Sequence, residues 1–67
     1  LGEVKKIIEF LPDDQKEVLI YRYYNDLSFK EISEKTGVSI NTSLGRMRYA
    51  LINLRNIIKK KNIILTS

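Results

Sequence analysis

Residues 28–48 read Ser-Phe-Lys-Glu-Ile-Ser-Glu-Lys-Thr-Gly-Val-Ser-Ile-Asn-Thr-Ser-Leu-Gly-Arg-Met-Arg. Ser28 and Glu31 form the spacing of a capping box, in which each side chain satisfies the other's orphan backbone N–H. Leu27 and Ile32 fit the hydrophobic staple that fixes the entry of the chain into such a helix. Thr36-Gly37 closes it, because glycine takes the left-handed conformation without a Cβ clash. Val38 is the apolar plug of the turn, and Ser39 caps the next helix. A short capped helix, a glycine turn and a second capped helix together predict a helix-turn-helix.

Upstream, Val4, Ile7, Ile8 and Leu11 follow the i, i+3, i+4, i+7 stripe of an amphipathic helix. Leu11-Pro12 ends that helix, since the residue before proline is pushed out of the α region. Pro12, followed by Asp13 and Asp14, starts a second helix, where acids suit the positive end of the helix dipole. This helix is expected from Asp13 to Tyr24, apolar on more than one face, with Asn25-Asp26 as turn chemistry. Downstream, the fourth helix can continue to about Lys60, roughly 30 Å at about 1.5 Å per residue. Ile40, Ser43, Met47, Ala50, Leu54 and Ile57, with Leu51 and Ile58 adjoining, form the side expected to pack. No β-pattern, internal repeat, low-complexity tract or linker interrupts this order. The expected fold is all-α: one four-helix helix-turn-helix domain over residues 1–67, without a wing.

Composition narrows the function. At 67 residues the chain is one domain at most, and a domain this small buries only about 60% of its unfolded surface. Cysteine and histidine are both absent, which removes thiol nucleophiles, disulfides and imidazole bases. With no glycine-rich phosphate loop either, no nucleophile–base pair can be assembled, so an enzyme is not expected. Neither a cofactor nor a metal is expected. No apolar run approaches the roughly 20 residues of a membrane span, so no membrane partner is expected, and the lack of cysteine fits a cytoplasmic protein. Leu1 is not an initiator methionine, which suggests a piece of a longer chain.

Charge is divided unevenly. Residues 1–38 carry six bases and all eight acids, a net charge of −2, and the last acid is Glu34. Residues 39–67 carry Arg46, Arg48, Arg55, Lys59, Lys60 and Lys61 and no acid, a net charge of +6. Lysines at a helix C-terminus also complement the helix dipole, but Arg46 and Arg48 lie well inside the helix. The side of the fourth helix opposite its packed stripe shows Asn41, Thr42, Gly45, Arg48 and Tyr49, with Leu44 and Arg46 at the borders. Small polar residues first, arginines a turn later and no carboxylate are what a major-groove reader needs. Gly45 costs about 1 kcal/mol of helix stability against alanine; it is either a point of close backbone approach to DNA or a tolerated surface glycine.

Leu11-Pro12, Gln15-Lys16 with Val18, Leu27-Ser28-Phe29-Lys30-Glu31-Ile32, Gly37-Val38-Ser39, and then Thr42, Arg46, Ala50, Leu54 and Arg55 resemble bacterial RNA polymerase sigma factors. The resemblance is to their C-terminal promoter-reading domain, region four, and most to the extracytoplasmic-function group. It runs from about Leu11 to Arg55 in one ungapped register. It implies the C-terminal DNA-binding domain of a longer sigma factor that reads the −35 element of double-stranded promoter DNA in the major groove and docks on the β-flap of the RNA polymerase core. Matching the family's positions puts Ser39, Asn41, Thr42, Gly45, Arg46, Arg48 and Tyr49 at or near DNA and makes Lys30 a phosphate-backbone candidate. An anti-sigma factor is a further partner the resemblance suggests. Three positions depart from the family pattern: Ser33 replaces a usual alanine, Ser43 a usual β-branched apolar residue, and Tyr49 a frequent arginine.

Two other readings share parts of this pattern. The output domain of LuxR-type response regulators has the same capped helix, turn and reading helix, but lacks Leu-Pro at this spacing and usually carries a histidine or lysine further along the fourth helix. A protein-interaction module without DNA binding would use the aromatic group Tyr21, Tyr23, Tyr24 and Phe29, whose ordinary role is core; in a sigma factor, any exposed part of it is the expected anchor for polymerase or an anti-sigma factor.

Overall fold

A computed structural model describes residues 6–60. Residues 6–8 are the end of a first helix, α1. It is followed by α2 (Asp13–Leu19), a π-helical extension of it (Ile20–Tyr24), α3 (Phe29–Thr36) and α4 (Ile40–Lys60). No strand occurs among the described residues, so the expected all-α order holds. Val4, placed on the first helix by its periodicity, lies outside the described residues.

The stops and starts follow the residues that encode them. α1 closes with Phe10 and Leu11 N–H groups donating to the Ile7 and Ile8 carbonyls, each at 3.0 Å. Pro12 stands at the N-cap of α2 with φ −55° and ψ 152°, and Asp13 and Asp14 fill the first turn. The capping box of α3 is complete. Ser28 N–H donates to Glu31 Oε1 at 2.8 Å, and Glu31 N–H donates to Ser28 Oγ at 3.1 Å. Gly37 ends α3 in the left-handed conformation, φ 74° and ψ 19°.

The core is one cluster: Ile8, Leu11, Val18, Leu19, Ile32, Met47 and Ala50 are buried, with Tyr21, Leu27, Phe29, Leu54 and Ile57 packed against it. Contributions come from all four helices, so α4 is held by α2 and α3 together. Each fully buried aliphatic chain favours folding by about 1.5–3 kcal/mol. A partly buried hydrogen bond from Asn53 Nδ2 to Gln15 Oε1, 2.7 Å, also ties α4 to α2.

The second helix changes its winding halfway. After Leu19 the hydrogen bonds lengthen to the π pattern, and Asn25 N–H reaches back to the Ile20 carbonyl at 3.1 Å. Within this stretch Tyr23 and Tyr24 lie outward, at 64% and 44% exposure, while Tyr21 and Phe29 stay half-buried. Of the four rings expected to be core in the main, Tyr23 and Tyr24 are the exposed part. Asp26 follows with φ 59°, a turn conformation that Asp tolerates better than most residues. Arg22 braces the turn: its Nη1 donates to the Leu27 carbonyl at 3.0 Å, and its guanidinium lies 5.1 Å from the Phe29 ring centroid.

Candidate nucleic-acid interface

Three local devices set the angle at which α4 leaves the turn. Gly37 reverses the chain. The Ser33 hydroxyl then donates across the turn to the Val38 carbonyl, so the serine in place of alanine fastens α3 to the start of α4. Ser39 caps α4: Thr42 N–H donates to Ser39 Oγ at 3.0 Å, and the Ser39 hydroxyl donates to Thr42 Oγ1 at 2.9 Å.

From that start the packed and free sides of α4 separate. Ser43, Met47 and Ala50 face the core. Asn41, Thr42, Arg48 and Tyr49 are exposed, and Gly45 is half-buried among them. Asn41, Gly45 and Arg48 recur at intervals of four and three, so they share one line down the helix. A Cβ added to Gly45 would meet nothing within 4 Å; the fold itself does not ask for glycine there. Lys30, in the first turn of α3, is exposed, as is Ser39 in the turn. α4 carries no carboxylate along its 21 residues.

Arg46 is set apart from this line. Its Nε lies 3.6 Å from Asp14 Oδ2, with its side chain 28% exposed, so it leans back on the start of α2. Nothing local in the sequence signals that pair, because its members are 32 positions apart. Ile40 and Leu51, expected on the packed side, are exposed, and so are Leu44 and Ile52. The packed face of α4 is narrower than its hydrophobic pattern: its buried or core-packed residues are Ser43, Met47, Ala50, Leu54 and Ile57. Ser43 is 1% exposed and its hydroxyl finds no hydrogen-bond partner among the described residues.

A short capped helix, a glycine turn braced by a serine, and a long helix presenting amide, glycine and arginine without acid define a helix-turn-helix DNA-binding domain. The chain belongs to the family of sigma-70, region 4, whose model matches residues 1–50; this is a DNA-binding domain of transcription initiation, not a family of enzymes. Over 53 residues the chain is also 34% identical to the ECF RNA polymerase sigma factor SigK of Mycobacterium ulcerans (strain Agy99), a match covering 79% of this chain and 28% of that protein. The chain thus spans little more than a quarter of the length of the curated relative it matches. No solved structure matches it. Family membership decides between the sigma-factor and LuxR-type readings in favour of the first. No helix among the described residues is long and apolar enough to cross a membrane.

Proposed function

We propose that this chain is a single helix-turn-helix domain, the region 4 of a longer extracytoplasmic-function-type sigma factor, and that it reads the −35 element of a promoter in the major groove. The observation that carries this reading is the exposed side of α4's first half, where Asn41, Gly45, Arg48 and Tyr49 stand together with no carboxylate on the helix. Asn and Arg are the side chains whose paired donors and acceptors match adenine and guanine edges. Arg48, on the central line, contacts a base. Lys30, Ser39, Thr42 and Arg46 hold phosphates and so fix the register of the helix on the duplex. The region docks on the β-flap of core RNA polymerase by a separate, aromatic patch outside α4, where Tyr23 and Tyr24 are exposed. It works in the cytoplasm, and an anti-sigma factor can compete for the same aromatic side.

Two arginine variants test the reading, in full-length chain assembled with core polymerase, against single-base-pair promoter variants at several salt concentrations. Arg48→Ala is expected to cost about 1–3 kcal/mol and relax preference at one base pair. Arg46→Ala is expected to weaken all sequences alike and lower the salt slope by about one unit. Identical behaviour of the two variants on every duplex would refute the division of roles.

A further inference from the structure

Leu44 sits on the border of the candidate reading side, one helical turn after Asn41 and one before Arg48. It is 45% exposed, and Ile40, four residues earlier on the same side, is 43% exposed. No other helix of the described fold buries them. Leu44 shares a shallow surface depression with Asn41, Gly45, Arg48 and Leu51. Gly45 beside it projects no side chain, and nothing lies within 4 Å of where a Cβ would stand. With nearly half its surface open, Leu44 is accessible to an approaching surface, and Gly45 beside it adds no side chain of its own.

An exposed leucine needs no explanation on an ordinary surface. This one stands among the groups proposed to meet base edges. The major groove offers one apolar group to such a side chain, the C5 methyl of thymine. We propose that Leu44 is a specificity-determining residue that contacts a thymine methyl in the recognised element. The inference rests on the reading of α4 as the base-contacting helix. It predicts a T·A pair between the pairs that face Asn41 and Arg48.

Deoxyuridine isolates the contact, because it keeps every hydrogen-bonding group of thymine and lacks only the methyl. The full-length chain with core polymerase selects a duplex from a randomised pool, and each thymine of that duplex is then replaced singly by deoxyuridine. Wild type is expected to lose about fourfold in affinity at one thymine, the effect of one methyl group removed from an apolar contact. Leu44→Ala should bind the parent duplex about that much more weakly and be indifferent to the replacement at that position. Leu44→Met, which stays apolar at similar volume, should keep the sensitivity. Circular dichroism of the variants confirms unchanged helix content. Indifference of wild type at every thymine, in a duplex it binds with steep salt dependence, overturns the proposal and leaves the DNA reading intact. So does an equal loss at the same thymine in wild type and Leu44→Ala. Weaker assembly of Leu44→Ala with polymerase, at unchanged base preference, makes the residue a protein contact and also overturns it. Failure to select any duplex removes the DNA reading and this inference together.

Discussion

The two described glycines differ in what they do for the fold, and substitution should separate them. Gly37 holds φ 74°, where a β-branched residue is strained by roughly 1–3 kcal/mol. Gly37→Val should therefore lower the melting midpoint while leaving much of the helix content intact. Gly45 lies inside a helix with open space around it, so Gly45→Ala should raise stability by about 1 kcal/mol. If the backbone at Gly45 approaches DNA closely, the same alanine should weaken duplex binding. Thermal melts and a DNA titration on one pair of proteins measure both signs, and tighter or unchanged binding would mark Gly45 as merely tolerated. Ser43 offers a third case. Its buried hydroxyl lacks a partner among the described residues, a state that costs about 1–3 kcal/mol. Ser43→Ala is accordingly expected to stabilise the chain by on the order of 1 kcal/mol, and a lower melting midpoint would show that the hydroxyl is satisfied after all.

Among the elements, α3 owes most to local chemistry. The Ser28 backbone N–H, with the Ser28 hydroxyl beside it, holds the Glu31 carboxyl below its usual range. A lowered folded-state pKa means stabilisation that is complete above the ordinary glutamate value and lost as pH falls through the folded one. Glutamine can close the same capping box without titrating. The melting difference between wild type and Glu31→Gln should thus stay constant near neutrality and move against wild type on acidification. A difference independent of pH would mean that the carboxylate charge plays no part. This capping box, the Gly37 stop and the Ser39 cap were all legible in the sequence, because each is written within four residues. The same holds for Asn41, Thr42, Arg48 and Tyr49, whose exposure follows from helical spacing and a packed stripe. What was not legible depends on distant partners. The Asp14–Arg46 pair and the Gln15–Asn53 bond join α2 to α4. The exposure of Ile40 and Leu51 reflects how far α2 and α3 reach across α4, which no periodicity encodes. The π winding after Leu19 was equally hidden, since Ile20–Tyr24 reads as an unbroken helical run.

For the whole molecule, the outward tyrosines give the proposed polymerase side a direct test. Aromatic side chains dominate binding hot spots, and both Tyr23 and Tyr24 are exposed enough to be removed without opening the core. Tyr23→Ala and Tyr24→Ala should keep wild-type circular dichroism, weaken binding to core polymerase, and leave the salt slope of DNA binding unchanged because no phosphate contact is lost. Folded variants that bind polymerase normally would remove the proposal. Tyr21 makes a poor substitute, since it packs against the core with Lys35 Nζ 5.7 Å from its ring centroid.

Every acid of the chain precedes α4, and the 21 residues of that helix hold none. A body so divided feels a torque as well as a pull in the field of a polyanion. It turns α4-first while still a Debye length away, about 8–10 Å at ordinary ionic strength. A larger share of random collisions then begins with the right side forward, which raises the association rate before any specific contact exists. Added salt shortens the reach of that field, so it slows arrival at every duplex, whatever its sequence. Discrimination between promoters is left to how long the complex lasts, where contacts such as those of Asn41 and Arg48 act.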